Sequence, residues 1–596
     1  MGRLLSIVSV LAIASSVLGL EARDRWIGET RKENGEKYQC KCYSDNACWP
    51  VASEWTRLNS TVGGALKAAL PPGAPCYQQA EGVSGSPYDK AACETVQANW
   101  MNEQWLTDHP VANLWPLYTN GTCLPTNNPE ATCTRGFYGE YVIMATMKDH
   151  IKAGVDFARA HNLRLIIRNT GHDFMGRSTG YGALIINTHS FKEAKFVSKY
   201  TGPGGWTGSA VTVGAGVQGR ELYRQAFQQN PKVVVVGGEC PTVGWAGGYI
   251  QGGGHGPLSG IYGMGADNVL SFDVITAKGE YVTANSDENS DLFWALKGGG
   301  PSTFGVVTSI TAKTFPEIPT AATILDINST HTTDPAVFNE GVRIFHNLAN
   351  MYTEHDMFVY FEVGPGPGRL HVQPFVGPRM TKADMDEALK PLFDQLKAAK
   401  IPHTTWSKEF PTFFEMYMDI FEEEPPNQYS AIGGRIFTQK DMEENADEIA
   451  KAVLMSVNPT PEIFGFSIGH IVNPGNAVPN PDNAIHPTWR NASSFVITNT
   501  GMTGQESWEQ KQYFQDVQTN IIGKALREAA PYGAAYVNEG DLNEPDWQTA
   551  YWGSNYERLL KIRKKWDPEG VFYTEVTPGT ENWKVLDYGK KLCKKA

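Results

Sequence analysis

The chain has 596 residues, with 51 Lys and Arg against 64 Asp and Glu, a formal net charge of −13, and 41% hydrophobic residues. A chain this apolar can bury a large core, which excludes a mostly disordered protein. The acidic balance argues against nucleic acid as a partner, because phosphate backbones bind clustered Lys and Arg. Nine cysteines are an odd number, so complete disulfide pairing leaves at least one cysteine for another role.

The first residues have the pattern of a secretory signal peptide, which we predict over residues 1–19. Arg3 precedes an apolar run broken by small residues, with Gly19 as the expected cleavage position. No later segment offers 18 consecutive apolar residues, so we expect no membrane partner. The sequence therefore predicts a secreted, extracellular protein in an oxidising compartment. Four glycosylation triplets agree with this, at Asn59, Asn120, Asn328 and Asn491.

The cysteines are unevenly distributed. Cys240 lies alone in a glycine-rich stretch, Cys593 lies beside the C-terminus, and no C-x-x-C pair or H-E-x-x-H motif indicates a metal site. We expect four bridges among the seven early cysteines and Cys593, with the connectivity open and Cys240 left unpaired. The seven early cysteines are Cys40, Cys42, Cys48, Cys76, Cys93, Cys123 and Cys133.

Composition divides the mature chain into four parts. Residues 20–134 are irregular and Cys-rich, and predict a disulfide-pinned extension with short helices. Residues 135–315 open with a strand (YVIMA), a helix with Ile151, Val155, Phe157 and Ala158 on one face, and a second strand (LRLIIR). Residues 316–530 predict an inserted α+β substrate domain, an antiparallel sheet covered by helices. Residues 531–596 are expected to complete the first domain.

A G-x-G-x-x-G pattern occurs at Gly214, Gly216 and Gly219, between a strand and a helix. It matches a dinucleotide fingerprint, but the preceding chain lacks the repeated strand-helix units of a doubly wound sheet. A secreted enzyme also has little access to recycled nicotinamide cofactor. We therefore interpret these glycines as tight turns that lead into the helix.

Two other segments are denser in small residues. RNTGHDFMGRS, residues 168–178, follows a strand directly, and its small residues allow backbone N–H groups to converge on a pyrophosphate. Residues 238–256 contain many glycines interleaved with Pro, Trp, Tyr and Ile, and glycines continue to Asn268. This composition indicates a segment whose backbone lies close to a large flat ligand, rather than a low-complexity loop.

Together these two segments resemble the PCMH-type FAD-binding domain of the vanillyl-alcohol oxidase superfamily, and specifically the berberine bridge enzyme-like oxidases. RNTGHDFMGRSTG and THSFK resemble in particular the fungal branch known as isoamyl alcohol oxidase-like. The closing segments YVNEGDL, YWGSNYERL and WDPEGVF resemble the C-terminal pattern of the same family. The resemblance implies an α+β fold, in which a two-part FAD-binding domain carries an inserted substrate domain.

The resemblance also implies site residues. His172 would bond to the flavin 8α-methyl and Cys240 to flavin C6, and Val243 would lie at the position that controls oxygen access. Trp489, Arg490 and Phe174 would line the substrate pocket. The full set of expected FAD-binding residues is Asn169, Thr170, Gly171, His172, Asp173, Ser178, Cys240, Val243, Gly244, Gly247, Gly248, Gly252, Gly253, Gly254, Asn268 and Val307.

Two departures from the family pattern affect the catalytic assignment. Glu539 and Phe174 stand where relatives often have tyrosine, so we take Glu539 as the candidate general base, with Tyr536 beside it as a second catalytic residue. The expected function is hydride transfer from an alcohol-like small molecule to flavin N5, with dioxygen as acceptor and hydrogen peroxide as product. The alternatives are an oligosaccharide oxidase of the same fold and a flavin-binding protein without turnover. Substrate and oligomeric state stay open.

Overall fold

The structure of the protein is a computed structural model that describes residues 28–365, 368–426, 428–504 and 506–596. The predicted signal peptide lies outside these ranges. None of the helices in the described ranges has the length and apolar character needed to cross a membrane. The elements are numbered below in chain order.

The N-terminal extension consists of short elements that are held by side-chain caps and disulfides. Asp89 caps the second helix by accepting a hydrogen bond from the Ala92 amide at 3.0 Å, and Asn102 caps the third through the Trp105 amide at 2.8 Å. The elements are β1 (Thr30–Glu33), β2 (Glu36–Cys40), α1 (Ala52–Thr61), β3 (Leu66–Ala68), α2 (Lys90–Asn99) and α3 (Glu103–Asp108).

Four disulfides confirm the expected pairing of the seven early cysteines with Cys593. One of them joins β2 to the C-terminal strand across 553 residues of sequence. Cys240 is the free cysteine of the described chain. The bridges are Cys40–Cys593, Cys42–Cys48, Cys76–Cys93 and Cys123–Cys133.

The next part of the chain contains two larger sheets with helices packed on them, and a separate pair of two-residue strands. Its first helix is amphipathic as predicted, with Ile151, Val155, Phe157 and Ala158 all buried. The elements are β4 (Tyr141–Met144), α4 (Lys148–Ala160), β5 (Leu165–Arg168), β6 (Leu184–Asn187), β7 (Ala194–Thr201), β8 (Thr207–Gly214), α5 (Gly219–Phe227), β9 (Val233–Val234), α6 (Ile250–Gly252), α7 (Ser259–Tyr262), β10 (Val269–Ile275), β11 (Tyr281–Asn285), α8 (Ser290–Leu296), β12 (Val306–Lys313) and β13 (Phe315–Pro316).

The two sheets differ in direction. The four-stranded sheet β3-β4-β6-β5 is parallel between β4, β6 and β5, with β3 added antiparallel at its edge. The five-stranded sheet β11-β10-β12-β8-β7 is antiparallel throughout. Gly216 makes the turn between β8 and α5, where a Cβ would lie 2.0 Å from the His189 carbonyl oxygen. This close approach gives the G-x-G-x-x-G glycines a packing role.

The inserted part is built on a seven-stranded antiparallel sheet, β17-β14-β16-β15-β19-β20-β18. This sheet lies inside residues 316–530, and the predicted domain boundaries themselves stay predictions. Its elements are β14 (Thr320–Asn328), α9 (Pro335–Asn347), α10 (Ala349–Glu354), β15 (Phe358–Gly364), β16 (Arg369–Pro378), α11 (Lys382–Ala398), β17 (Thr404–Phe410), α12 (Phe413–Ile420), β18 (Ser430–Thr438), α13 (Gln439–Ser456), β19 (Gly465–Ile471), β20 (Ala492–Gly501), α14 (Trp508–Asp516) and α15 (Gly523–Ala529).

The two faces of this sheet have different partners because side chains alternate along a strand. Ile471 of β19 and Val496 of β20 belong to an apolar cluster with residues of α9, α11 and α13. Ile468, His470 and Ile497, on the opposite face of the same strands, line a large cleft. The helices thus cover one face of the sheet, and the other face forms a wall of the cleft.

The C-terminal part returns to the N-terminal extension. Its last strand pairs with β2 in the sheet β1-β2-β22-β21. A loop of the same part, residues 536–539, reaches the cleft. The elements are α16 (Trp547–Trp552), α17 (Tyr556–Trp566), β21 (Trp583–Leu586) and β22 (Lys591–Lys595).

Candidate active site

The cleft has an empty volume of about 1350 Å³, part of which is open to solvent. Its walls come from segments far apart in sequence: the loop after β5, the glycine-rich segment after β9, the start of β12, strands β19 and β20, and the loop 536–539. Both segments singled out from the sequence therefore meet at one place. A partly open cleft lined by this many segments suits a cofactor together with a substrate.

The loop after β5 is held in place by two arginines. Arg168 is fully buried and donates hydrogen bonds to the backbone carbonyls of Ala112, at 2.9 Å, and Leu106, at 3.2 Å. Arg177 binds Asp173 through Nε and Nη2, the latter at 2.6 Å from Oδ1. Asp173 is thus already paired, and we assign it to shaping the loop rather than to contacting a ligand.

The glycine-rich segment packs directly on this loop. A Cβ on Gly247 would lie 2.7 Å from the Asn169 amide nitrogen, and one on Gly244 would lie 2.9 Å from its Oδ1. Asn169 Oδ1 and Gln251 Oε1 are buried in the cleft wall without a hydrogen-bond partner in the described chain. Unpartnered buried polar atoms are costly, so these two indicate a bound polar group. Close backbone packing and the two unpartnered amide oxygens fit FAD.

Three reactive side chains meet at one end of the cleft. Glu103 Oε1, from the first residue of α3, lies 3.3 Å from Cys240 Sγ and 3.5 Å from His172 Nε2. His172 also contacts the Thr242 hydroxyl, and its carbonyl oxygen accepts a hydrogen bond from the Trp115 indole at 3.1 Å. The N-terminal extension therefore contributes a carboxyl group to the place where the two predicted flavin ligands lie.

Burial controls the protonation of these three groups. It lowers the pKa of His172 to about 3, helped by Arg168, so the imidazole is neutral and keeps a lone pair. Burial raises the pKa of Glu103 to about 7. Burial and the nearby Glu103 raise the pKa of the Cys240 thiol well above its usual value. The contact between Glu103 and His172 is therefore not an ion pair near neutral pH.

Two carboxylate–histidine pairs line another part of the cleft. His255 Nε2 lies 3.1 Å from Glu539 Oε2, and His470 Nε2 lies 3.0 Å from Glu239 Oε1. The two imidazole rings are 4.7 Å apart. Burial alone would lower the pKa of His255, but the Glu539 carboxylate outweighs burial and raises it. Burial would raise the pKa of Glu239, but His470 lowers it to about 2, so Glu239 is ionised at neutral pH.

Tyr536 packs edge-on against the His255 ring, with ring centroids 5.4 Å apart. The hydroxyl oxygen accepts hydrogen bonds from the Gly254 amide at 3.0 Å and from the Asn538 amide at 2.9 Å. Burial and Glu539 raise the pKa of Tyr536, so the phenol keeps its proton. Tyr536 can therefore donate a hydrogen bond into the cleft but is a poor proton acceptor.

Most of the residues predicted from the sequence lie in the cleft wall. Phe174 is among them and stacks on Trp115, with ring centroids 4.6 Å apart. The structure thus brings together both predicted catalytic residues and most of the predicted cofactor set. The predicted residues in the wall are Asn169, Thr170, Gly171, His172, Asp173, Phe174, Ser178, Cys240, Val243, Gly244, Gly247, Gly248, Val307, Tyr536 and Glu539.

The remaining predicted residues do not line the cleft, and their proposed roles stay predictions. Arg490 is held by Asp267 through two contacts of 2.7 and 3.0 Å, and so makes a structural ion pair. Trp489 is 1% exposed and stacks against His255. The side-chain amide of Asn268 donates hydrogen bonds to the backbone carbonyls of Tyr262 and Met264. The glycines behind the wall are Gly252, packed on Asn538, and Gly253 and Gly254, which have φ of +122° and +75°.

Several residues that line or adjoin the cleft were missed from the sequence. His255 and Glu239 lie within the glycine-rich segment, where the pattern directed attention to the glycines. His470 on β19 and Glu424 after α12 carry no motif, and Glu103 lies in the irregular extension. For these three residues no local signal exists, because only the fold brings them to the cleft.

The α+β fold, with a cleft lined by glycines and reactive side chains, is that of a cofactor-binding enzyme. Residues 139–285 match the family model described as "FAD binding domain", and residues 535–576 match "Berberine and berberine like". The chain is 35% identical over 562 residues to the FAD-linked oxidoreductase ZEB1 of Gibberella zeae, covering 94% of this chain and 95% of that protein.

Other relatives are similar over nearly the full length. The VAO-type flavoprotein oxidase VAO615 of Thermothelomyces thermophilus is 30% identical, with 99% of each chain covered. The crystal structure of the VAO-type flavoprotein MtVAO713 from Myceliophthora thermophila C1 superposes with a TM-score of 0.85 at 30% identity, over 93% of this chain and 100% of that one. The chain therefore belongs to the VAO-type, berberine-like FAD-linked oxidoreductases, and it is an FAD-dependent oxidoreductase.

Proposed function

We propose that the protein is a secreted oxidase that removes a hydride from the carbinol carbon of an alcohol-like substrate and uses dioxygen as acceptor, forming hydrogen peroxide. One observation carries the proposal: the Glu539–His255 pair faces the same cleft as His172 and Cys240. A proton acceptor and the predicted attachment residues for a redox cofactor are thus combined in one site. The four disulfides support the proposed secretion.

We propose that FAD is held along the loop after β5 and the glycine-rich segment, and is bonded to His172 and Cys240. When bound, the flavin supplies the two-electron acceptor that no protein side chain provides. The neutral, buried imidazole of His172 fits a role as nucleophile, since its lone pair is free. The unpartnered Oδ1 of Asn169 and Oε1 of Gln251 would accept hydrogen bonds from N–H or O–H groups of the cofactor.

Glu539 is proposed to accept the hydroxyl proton of the substrate. Its side chain is 18% exposed, whereas that of His255 is 3% exposed, so the carboxylate is the more accessible member of the pair. His255 holds the carboxylate in place and stabilises its charge, and Trp489 fixes the imidazole from behind. Tyr536 stays protonated and can donate a hydrogen bond to the substrate oxygen.

The charges of the cleft favour an uncharged, hydroxylated substrate over an acid. Glu239, Glu424 and Glu539 line the cleft. The lining basic residues Arg177, His255 and His470 are each paired with a carboxylate, so none is left free to bind an acid. Burial and Glu239 raise the pKa of Glu424 to about 8, which shows how unfavourable a further negative charge is here. Carboxyl groups accept hydrogen bonds from hydroxyls, whereas a substrate carboxylate would be repelled.

An oligosaccharide oxidase is the second candidate, because carboxyl groups and the partly exposed ring of Phe174 in an open cleft also suit a sugar. A flavin-binding protein without turnover is the third. Incubating the purified protein with a panel of aliphatic, aromatic and sugar alcohols, and measuring peroxide release, decides among them. Peroxide from simple alcohols supports the first candidate, and peroxide confined to sugars supports the second. No turnover with any compound would contradict both oxidase proposals.

The covalent attachment has its own test. Wild-type protein should keep its yellow colour in the pellet after acid precipitation, and the double variant His172→Ala with Cys240→Ala should release all of its flavin. Flavin that stays with the denatured double variant would show that other residues hold it.

A further inference from the structure

We propose that Glu103 is the general base that takes the thiol proton of Cys240 when the flavin becomes attached to that cysteine. The proposal rests on the proposed attachment through Cys240 and extends it to a residue that precedes the FAD-binding domain in sequence. It makes the N-terminal extension part of the attachment site.

The geometry is that of a base in contact with its proton donor. Cys240 Sγ lies 3.3 Å from Glu103 Oε1, within hydrogen-bond reach for sulfur. Glu103 is 3% exposed, and its second oxygen, Oε2, has no partner in the described chain. A buried carboxyl with an unpartnered oxygen, whose basic neighbour His172 is a neutral imidazole, is costly, which suggests a chemical rather than a packing role.

The helix that carries Glu103 is firmly positioned. Arg168 donates to the carbonyls of Leu106 and Thr107 at the C-terminal end of α3, at 3.2 and 3.3 Å. Gln218 bridges the extension and the cysteine segment, since its amide nitrogen donates to the Thr107 hydroxyl at 3.2 Å and to the Thr242 carbonyl at 2.9 Å. These hydrogen bonds fix the positions of Glu103 and Cys240 relative to each other.

Cys240 needs such a base because its thiol is buried. Only the thiolate is a strong nucleophile, and burial raises the pKa of this thiol well above its usual value. A base that removes the proton as the bond forms avoids a free buried thiolate. The pKa of Glu103, raised to about 7 by burial, gives a large ionised fraction near neutral pH together with a higher proton affinity than an ordinary carboxylate.

The attachment step balances with dioxygen, the oxidant of the proposed reaction. The S–H bond of Cys240 and the C6–H bond of the flavin break, and an S–C6 bond forms. The thiol proton passes to Glu103, and the C6 proton and two electrons remain on the reduced flavin. Dioxygen then takes these two electrons and two protons as hydrogen peroxide, which returns the flavin and Glu103 to their starting states.

The test measures bond formation rather than turnover. Wild-type protein and the variants Glu103→Gln, Glu103→Asp and Glu94→Gln are incubated with FAD at pH 6, 7.5 and 9. Free Cys240 is then alkylated, and the flavin-linked and alkylated peptides are quantified by mass spectrometry. Glu94 is an exposed glutamate of α2 and serves as the matched control. Melting temperatures show whether each variant is folded.

We expect Glu103→Gln to slow linkage of Cys240 at least tenfold at pH 7.5, with recovery at pH 9, where hydroxide replaces the missing base. Glu103→Asp keeps a carboxylate, so its linkage rate should lie between those of wild type and Glu103→Gln. The linkage rate of Glu94→Gln should match that of wild type. Linkage at the wild-type rate in Glu103→Gln would overturn the proposal. A loss that neither pH 9 nor Glu103→Asp restores would indicate a purely structural role and would also overturn it.

Two further outcomes are distinguishable. If Cys240 of the wild-type protein carries no flavin, the proposed attachment itself is wrong and this inference falls with it, while oxidase activity is tested separately. Glu103, His172 and Cys240 also have ligand atoms within 4.8 Å of one another, as a metal site would. One equivalent of zinc per chain, lost in Glu103→Gln, would overturn the base assignment.

Discussion

His255 Nε2 lies 3.1 Å from Glu539 Oε2, and this pair joins the glycine-rich segment to the C-terminal loop across 284 residues. On its other side the His255 ring stacks on Trp489 at 5.5 Å. The carboxylate is therefore held in one orientation while its outer edge faces the cleft. This arrangement gives the proposed base a fixed position and a partner that stabilises its charge.

Replacing Glu539 tests the base assignment. Glu539→Gln keeps the shape but removes the proton acceptor, and we expect flavin reduction by substrate to slow about 100-fold, at the low end of general-base effects. The measurement is anaerobic stopped-flow absorbance of the flavin. Glu528→Gln, at an exposed glutamate of α15, should reduce at the wild-type rate. An unchanged rate in Glu539→Gln would show that another group takes the proton.

Glu424 should determine discrimination against acids. Because the pKa of Glu424 is raised to about 8, its carboxyl is largely ionised only at pH 9 and above. Glu424→Gln cannot ionise, so at pH 9 we expect 4-(hydroxymethyl)benzoate to bind to it at least threefold more tightly than to wild type, with benzyl alcohol nearly unchanged. Binding is measured from the change in flavin absorbance on titration. The control is Glu422→Gln, two positions away and exposed. Equal affinities of wild type for the two compounds would contradict the proposed charge selection.

The fold was largely predictable from the sequence because its signals are local. The helical spacing of Ile151, Val155 and Ala158 predicted α4, and the glycine-rich segment predicted a close-packed ligand site. The odd cysteine count also carried information, since Cys240 is the free cysteine of the described chain and lies in the cleft.

The catalytic environment was less predictable because it depends on contacts between distant segments. Glu539 was predicted as a site residue, but its partner His255 was passed over among the glycines, and His470 lies on a strand with no motif. Arg490 was predicted to line the substrate pocket. In the structure Asp267, more than 200 residues earlier, holds it in a buried ion pair outside the cleft lining. Neither the His255–Glu539 pair nor the Arg490–Asp267 ion pair follows from a local sequence pattern.

The disulfide between Cys40 and Cys593 should contribute strongly to stability. It closes a loop of 553 residues, and loop-closure entropy predicts a loss of about 3–5 kcal/mol when both cysteines are replaced by serine. The Cys42–Cys48 bridge spans 6 residues and is the matched control, with a smaller expected loss. Denaturant unfolding followed by tryptophan fluorescence measures both. A larger loss for the short bridge would contradict the loop-closure argument.

Glu544 should make the protein less stable as pH rises. The carboxyl is 8% exposed, and burial raises its pKa to about 7 despite a contact of 3.2 Å with Arg527. Between the ordinary carboxyl pKa and about 7, the unfolded chain is ionised while the folded protein keeps the proton. Stability conferred by this group is therefore present at low pH and is lost as pH rises through that window.

The variant Glu544→Gln cannot ionise, so its stability relative to wild type should increase between pH 4 and pH 8, by on the order of 2–3 kcal/mol. Other buried carboxyls such as Glu103 titrate in both proteins, so the comparison between variant and wild type isolates Glu544. Urea unfolding at the two pH values measures the difference, and Glu443→Gln, at an exposed position of α13, should show none. A relative stability that falls with pH would mean that the Arg527 contact dominates and that the folded-state pKa of Glu544 is depressed.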